Sequence, residues 1–429
     1  MNRSSSESSS LVAFRYSNFR FYMMARFLTT ISSEMQSVAV GWQVYEITHR
    51  PLDLGLVGLA QFLPGICLFL IAGHTADRIP RQRIVRLCFA AFSLCSVLLL
   101  AAALQKVTSP YPIYFVLLLN GTVRAFSAPA TQAFVPLLVE ARHFPNAVAW
   151  ASSIFQTATI AGPMIGGLLY GFTGSPVIVY SFAALAYFAA FVLISIVKLN
   201  GVVQSAASRR LVLEGLRYIW ENKVILGAIS LDLFAVLLGG AVALLPVYAR
   251  EILKVGASGL GILRSAPGIG AVLTSLAVAR WPLRQKAGAS MLWCVFGFGL
   301  ATVVFGISHN IWLSLTMLFL TGATDTVSVI VRSTMIQLGT PDQMRGRVSA
   351  VNMLFVGASN EFGAFESGIT AHWFGTVPAV VLGGLGTIVV VGLWAWLFPS
   401  LRQMDRLAPQ LAEPVLAEAT TAHGGADNE

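Results

Sequence analysis

The chain has 429 residues, of which 56% are hydrophobic and 11% charged, and its mean hydropathy is +0.74. Soluble domains carry roughly 25% charged residues, so this composition excludes water as the main solvent. The net charge of +9 would fit a nucleic-acid partner only if it formed a patch; its distribution follows membrane topology instead, and no nucleic acid is expected.

Apolar runs of about 20 residues, enough to cross a ~30 Å hydrocarbon core, recur from end to end. They predict an all-α integral membrane protein with twelve transmembrane helices, beginning near Phe21, Leu54, Ile84, Pro112, Ala147, Val177, Val224, Gly259, Gly288, Ile311, Val348 and Pro378. The Ser-rich stretch 1–17 is expected to be a disordered cytoplasmic N-terminus. Arg26 and Glu34 interrupt the first run, which is unlike the unbroken core of a cleaved signal peptide. With that end in the cytoplasm, 20 of the 28 Lys and Arg residues fall on the cytoplasmic side. Arg50, Lys106, Arg250 and Lys254 fall on the other side, and Arg26, Arg124, Arg264 and Arg332 fall within spans. This is the positive-inside asymmetry, and it places both termini in the cytoplasm.

An ionisable side chain at mid-bilayer costs at least ~2.5 to 3.5 kcal/mol, so each one in a span needs a reason. Glu34, Arg124, Asp232, Asp325 and Glu361 lie roughly 15 to 22 Å from the starts of their spans and are read as an equatorial belt lining a cavity. Helical spacing puts Thr30, Ser37 and Gly41 on the face of Glu34, and Asn120, Ser127 and Thr131 on that of Arg124. Ala228, Ala235 and Gly239 accompany Asp232, while Thr321, Ser328 and Arg332 accompany Asp325. Stripes of this kind line a wet cavity or form a tight helix contact. A desolvated carboxylate holds a proton more readily than one in water, which points to Glu34 or Asp325 as a proton switch, with Asp232 and Glu361 next. Arg124 is expected to hold a charge partner or an anionic cargo group, and Arg332 to snorkel to the cytoplasmic surface. Glu366 is expected to face water or a gate. Trp42, Tyr45, Phe126 and Phe155 are possible substrate contacts, by stacking.

The longest connection, 199–223, contains the partly amphipathic "SRRLVLEGLRYIWENK" and is read as a cytoplasmic linker with a surface helix. It separates two six-helix bundles, 18–198 and 224–399, and residues 400–429 are expected to form a disordered cytoplasmic tail. Gly162 and Gly167 are matched by Gly363 and Gly368 at an offset of 201 residues, which suits duplicated halves rocking about a midplane site. The four cysteines, Cys67, Cys88, Cys95 and Cys294, lie inside apolar runs and read as small buried hydrophobes.

"GHTADRIPRQRI" (73–84) places Gly73, Asp77, Arg78, Arg81 and Arg83 between spans two and three. It resembles the loop motif of the major facilitator superfamily, with Pro80 where the family usually has Gly and Gln82 where a second basic residue is common. Gly73 permits close packing, and Asp77 can accept hydrogen bonds from arginines and a neighbouring helix N-terminus; the resemblance implies a cytoplasmic gate. "AGPMIGGLL", through Gly162, Pro163, Gly166 and Gly167, resembles the Gly-Pro-x-x-Gly-Gly motif of the superfamily's antiporters and exporters. "SVAVGWQVYEIT", "SAPGIGAVL" and "GTPDQMRGRVSAVN" are similar to the bacterial group containing the enterobactin exporter and drug:proton antiporter-like efflux proteins, over Phe19 to about Phe398. The resemblance implies the major facilitator fold in the bacterial cytoplasmic membrane. It also implies a monomer that exports a small amphipathic molecule, siderophore or drug-like, by alternating access with proton antiport. A facilitator, an importer or a lysophospholipid flippase would use the same fold. Catalytic motifs such as HExxH, GxSxG and the Walker loop do not occur in the sequence, so neither an enzyme nor a cofactor or metal requirement is expected. The short tails offer no sensory or output domain, as a receptor would require.

Overall fold

The computed structural model describes residues 11–132, 134–197, 209–281 and 286–404, and among these every regular element is helical. Helices α1 (Ser17–Thr48), α2 (Pro51–Arg78), α3 (Arg81–Leu104), α4 (Tyr111–Gln132), α5 (Phe144–Thr173) and α6 (Val177–Ile196) form the first half. Helix α7 (Arg209–Glu221) follows, then α8 (Lys223–Leu238) and the short α9 (Leu245–Val247). The second half continues with α10 (Gly256–Arg280), α11 (Ala287–Ile307), α12 (Ile311–Gly339), α13 (Asp342–Phe374), α14 (Thr376–Leu397) and the short α15 (Pro399–Arg402). The expected termini outside these segments, and most of the linker, lie outside the described residues.

Local chemistry sets the boundaries. α1 stops at His49, whose φ of 52° ends the helical run, and Pro51 starts α2 after a single intervening residue. α5 ends at Gly174 with φ of 61°, where a left-handed residue closes the last turn without a Cβ clash. Asn310 caps α12, its side chain accepting from the backbone N–H groups of Trp312 and Leu313. After Leu238 the seventh run breaks at Gly239 and Gly240, then passes through a 3₁₀ turn (Ala241–Leu244), α9 and a π-helical turn (Tyr248–Ile252). Gly240 lies so close to α13 that a Cβ there would sit 2.6 Å from the Gly363 carbonyl oxygen.

Most helix starts fall within three residues of the positions expected from hydropathy. α13 begins six residues earlier than Val348, directly after Pro341, because the polar "DQMRGR" continues the helix outside the apolar run. Nine helical stretches among the described residues are long and apolar enough to cross a membrane. The long helices missing from that set are α1, α5 and α13, of 32, 30 and 33 residues. Each carries polar or small residues where it packs against other helices. α7 docks on the start of α13: Ile219 is buried, Tyr218 donates to the Gly339 carbonyl at 2.9 Å, and Glu214 pairs with Arg347.

Within the first half, α1 packs against α5 and α6, α2 against α4, and α3 against α4 and α6. The same scheme recurs in the second half, with α8 against α13 and α14, α10 against α12, and α11 against α12 and α14. Glycines mark the repeat in space. A Cβ on Gly162 would sit 2.5 Å from that of Glu34 on α1, and one on Gly363 would sit 2.9 Å from the Val236 and Leu237 carbonyls of α8. Gly167 then faces Gly261 of α10, and Gly368 faces Gly55 of α2. In both helices one glycine packs within its own half, and the glycine five residues later packs across to the other half.

The contacts between halves, α5 with α10 and α2 with α13, are close only toward the end that carries the α1–α2 turn. Along α2, Gly58 meets Glu361 and Ala364, and Phe62 meets Phe362 at 5.5 Å. One turn further, Gly65 has nothing within 4 Å of a would-be Cβ, and Ile66 is exposed. α13 behaves likewise from Gly357 to the exposed Leu354, and α10 from Gly268, which touches Ile160, to the exposed Leu276. Residues one helical turn apart share a face, so the halves touch at one end and part toward the end holding Arg78 and Asp342.

Candidate functional site

Four charged side chains gather where the faces begin to part. Glu34 projects from α1 at the Gly162 crossing, where only a glycine leaves room for it. Arg264 reaches across from α10, its Nη2 donating to the Ser37 hydroxyl at 2.6 Å. Glu34 and Glu361 are the acids whose charges act on Arg264. Arg124 on α4 forms an ion pair with Glu361 on α13 at 3.7 Å, with its guanidinium largely exposed and Glu361 mostly covered. Arg124 also acts on Glu34. Each half thus contributes one acid and one base. At the next residue of α10, the Ser265 hydroxyl donates to the Ile160 carbonyl of α5 at 2.8 Å, a further link between halves.

This arrangement corrects the expected balance of four acids against one base. Arg264 was legible as a charge within a span but not as a member of the belt, because its partners belong to the other half or to a distant helix. Arg332 is the second correction. It does not snorkel; it is 2% exposed and forms an ion pair with Asp232 of α8, itself 5% exposed. Asp325 shares the face of Arg332 on α12 and lies beside this pair. Asp232, Asp325, Ser328 and the apolar Ala235, Val295 and Phe298 enclose a small cavity. The expected single belt therefore resolves into a four-charge cluster between halves and a three-charge cluster inside the second half.

A third polar group ties the halves at the closed end. Tyr45 of α1 donates to Glu251 in the π-helical turn, Arg250 lies 3.9 Å from Glu46, and Tyr170 donates to Glu46 at 2.9 Å. The Arg250 guanidinium stands 5.8 Å over the Trp42 ring. Trp42 and Tyr45 are therefore buried in this closure. Phe126 packs with the core of the first half, and Phe155 is exposed, with Arg26 over its ring at 5.8 Å. Glu366 is half-buried and accepts from the Thr370 hydroxyl at 2.7 Å.

Of the two motifs, the glycine-proline one is wholly visible. Gly162 and Gly166 face Glu34 and Met35 of α1, while the Pro163 carbonyl and Gly167 face Gly261 of α10. At the loop motif, Arg78 and Arg83 are exposed and Arg81 is partly covered; the side-chain surroundings of Gly73 and Asp77 lie outside the described residues. Gln82 donates to the carbonyls of Ile194 and Val197, so this departure from the motif fastens the α2–α3 turn to the end of α6.

A family model described as "Transmembrane secretion effector" matches residues 8–426. The chain belongs to this family of the major facilitator superfamily. Among curated relatives, the enterobactin exporter EntS of Shigella boydii is 26% identical over 400 residues, covering 92% of this chain and 94% of the relative. EntS of Escherichia coli shows the same identity and coverage. A solved bacterial homologue of the human lysosomal transporter Spinster, inward-facing and unoccupied, superposes with a TM-score of 0.70 at 13% identity, covering 90% of this chain and 98% of that one. The nucleoside transporter NupG gives 0.65 at 15% identity, covering 90% and 99%. These likenesses give the chain the major facilitator fold. It is a multi-pass membrane transporter, and its relatives are transporters and not enzymes.

Proposed function

We propose that this chain is a secondary exporter in the bacterial cytoplasmic membrane, moving a small amphipathic molecule, siderophore or drug-like, by alternating access with proton antiport. Twelve spans form two six-helix bundles, 18–198 and 224–399, with linker 199–223 and both termini cytoplasmic, and the unit works as a monomer. In this reading the closed end faces outward and the cleft between the halves faces the cytoplasm, where an exporter must load.

The observation that carries the proposal is the cluster of Glu34, Arg124, Arg264 and Glu361 at the point where the halves part. One acid and one base from each half satisfy each other without cargo. A cargo group that takes Arg124 frees Glu361, and a proton taken by either acid frees a base, so occupancy biases contact between the halves. Differential interaction with two states is what a ligand needs to shift their populations. The enterobactin exporters, at 26% identity, support export and a siderophore-sized cargo, and the glycine-proline motif in α5 agrees with antiport.

Efflux of a siderophore and dye panel, from cells expressing the wild type or E34Q with and without a protonophore, tests this reading. Export that collapses with the protonophore and is lost in E34Q is expected. Export untouched by both would refute proton antiport through this cluster.

A further inference from the structure

Of the arginines that fall within spans, Arg124 pairs with Glu361, Arg264 lies in the field of Glu34 and Glu361, and Arg332 pairs with Asp232. Arg26 is the exception: among the described residues no carboxylate forms an ion pair with it. We propose that Arg26 anchors the cargo by an oxyanion at the mouth of the cleft, so that the cargo is an amphipathic organic acid whose apolar body lies on the exposed ring of Phe155. The proposal rests on the exporter reading above and narrows its cargo.

The helical repeat places Arg26 on the wall of the cleft. A Cβ on Gly41 would lie 3.6 Å from Pro246, and Ser37 accepts from Arg264, so this side of α1 faces the second half. Arg26 precedes Ser37 by three helical turns, roughly 16 Å, and so continues the same side beyond the point where the halves part. Phe155 stands two turns before Gly162, on the side of α5 that meets α1 at Glu34. The Arg26 guanidinium lies over this ring, 5.8 Å from its centroid, and the ring remains 43% exposed. Ample apolar surface is left there for a second molecule.

The donors of Arg26 select an anion. A guanidinium carries five N–H donors in one plane and no acceptor. The Phe155 ring covers one face of the group. Beside it stands the Tyr22 hydroxyl, which is uncharged and already donates to the Thr131 carbonyl at 2.9 Å. The remaining in-plane donors suit an oxyanion, which can take two charge-assisted hydrogen bonds at once. Because the ring contact holds the guanidinium before cargo arrives, less side-chain freedom is lost on binding.

The same wall discriminates against other cargo. Arg124 is also largely exposed on the first half, so a cation entering the cleft meets two like charges, and a neutral molecule displaces water from Arg26 without replacing its hydrogen bonds. Glu34 lies about 12 Å farther in along α1. An acid held at Arg26 therefore loads at the mouth with its body directed toward the four-charge cluster, and anchoring comes before the cluster responds.

Pyrenebutyric acid, its methyl ester and pyrenebutylamine share one ring system and differ in charge, which makes them a direct test. Their saturable binding to the full-length protein in nanodiscs of zwitterionic lipid, at neutral pH, is read by fluorescence anisotropy against empty nanodiscs. The wild type should bind the acid at least about tenfold more tightly than the ester or the amine. R26Q should lose about tenfold in affinity for the acid, and R26K should recover part of it. Ester binding and melting temperature should stay close to wild type in both variants. An amine bound as tightly as the acid, R26Q binding the acid like the wild type, or no saturable binding of the acid would overturn the proposal. An effect of R26Q seen only in nanodiscs with anionic lipid would overturn it too, by assigning Arg26 to a lipid headgroup. Efflux of the three probes from cells separates the two readings. Binding that depends on Arg26 without any export would remove the exporter reading alone, whereas equal export of all three probes by wild type and R26Q would remove the anchor alone.

Discussion

Replacing Gly261 by alanine puts a methyl group where α10 meets α5 backbone to backbone. The new Cβ would lie 2.6 Å from the Pro163 carbonyl oxygen and 2.9 Å from the Gly167 Cα, roughly 0.8 Å inside ordinary contact for the nearer atom. Neither neighbour is a side chain that can turn away, so the helices must separate. Overpacking of this kind typically costs 1 to 3 kcal/mol. That cost falls only on the conformation in which the two helices touch, so it shifts the balance away from that state by about 5- to 150-fold. The assay is pulsed electron paramagnetic resonance between spin labels at Phe172 and Lys254, near this end of the two halves, in a background without native cysteines. G261A should move population to longer distances, whereas G65A should not, because Gly65 has nothing within 4 Å. An unchanged distance distribution in folded G261A would refute the argument that this contact is specific to one state.

Two further outcomes follow from buried polar contacts. Arg332→Ala leaves Asp232 charged and unpaired at 5% exposure, so it should lower stability by about 3 to 5 kcal/mol, read as a drop in melting temperature in detergent; the double variant D232L/R332L should recover much of that loss. Tyr45→Phe removes the donor to Glu251 and should shift the spin-label distances in the same direction as G261A but less far, by about 1 kcal/mol of bias.

Hydropathy made the long helices legible, because a membrane-spanning helix must present an apolar run to lipid even where its packed face is polar. Residue spacing also placed Glu34, Arg124, Asp325 and Glu361 on polar helix faces. Partnerships were not legible, since they join residues from separate helices. Arg332 looked unpaired because its own helix offers only Asp325, two turns away, and its true partner Asp232 arrives from α8. Arg264 gave a weaker sign, a lone guanidinium in a glycine-rich span, and its role depends on Ser37, 227 residues earlier. The early start of α13 was hidden for a different reason: polar residues extend a helix beyond an apolar run without any hydropathic signal.

Gly167 on Gly261 and Gly368 on Gly55 give the molecule two plain bearings, one on each seam between its halves. Surfaces that interlock through side chains must repack at every step of a sliding motion, and each repacking adds a small barrier. Backbone against backbone offers no such notches. Motion along these seams should therefore be smooth and fast, and the stops that define the end states must come from polar contacts such as Tyr45 with Glu251. Because the two bearings stand at the same register in the repeat, roughening one should be felt much like roughening the other.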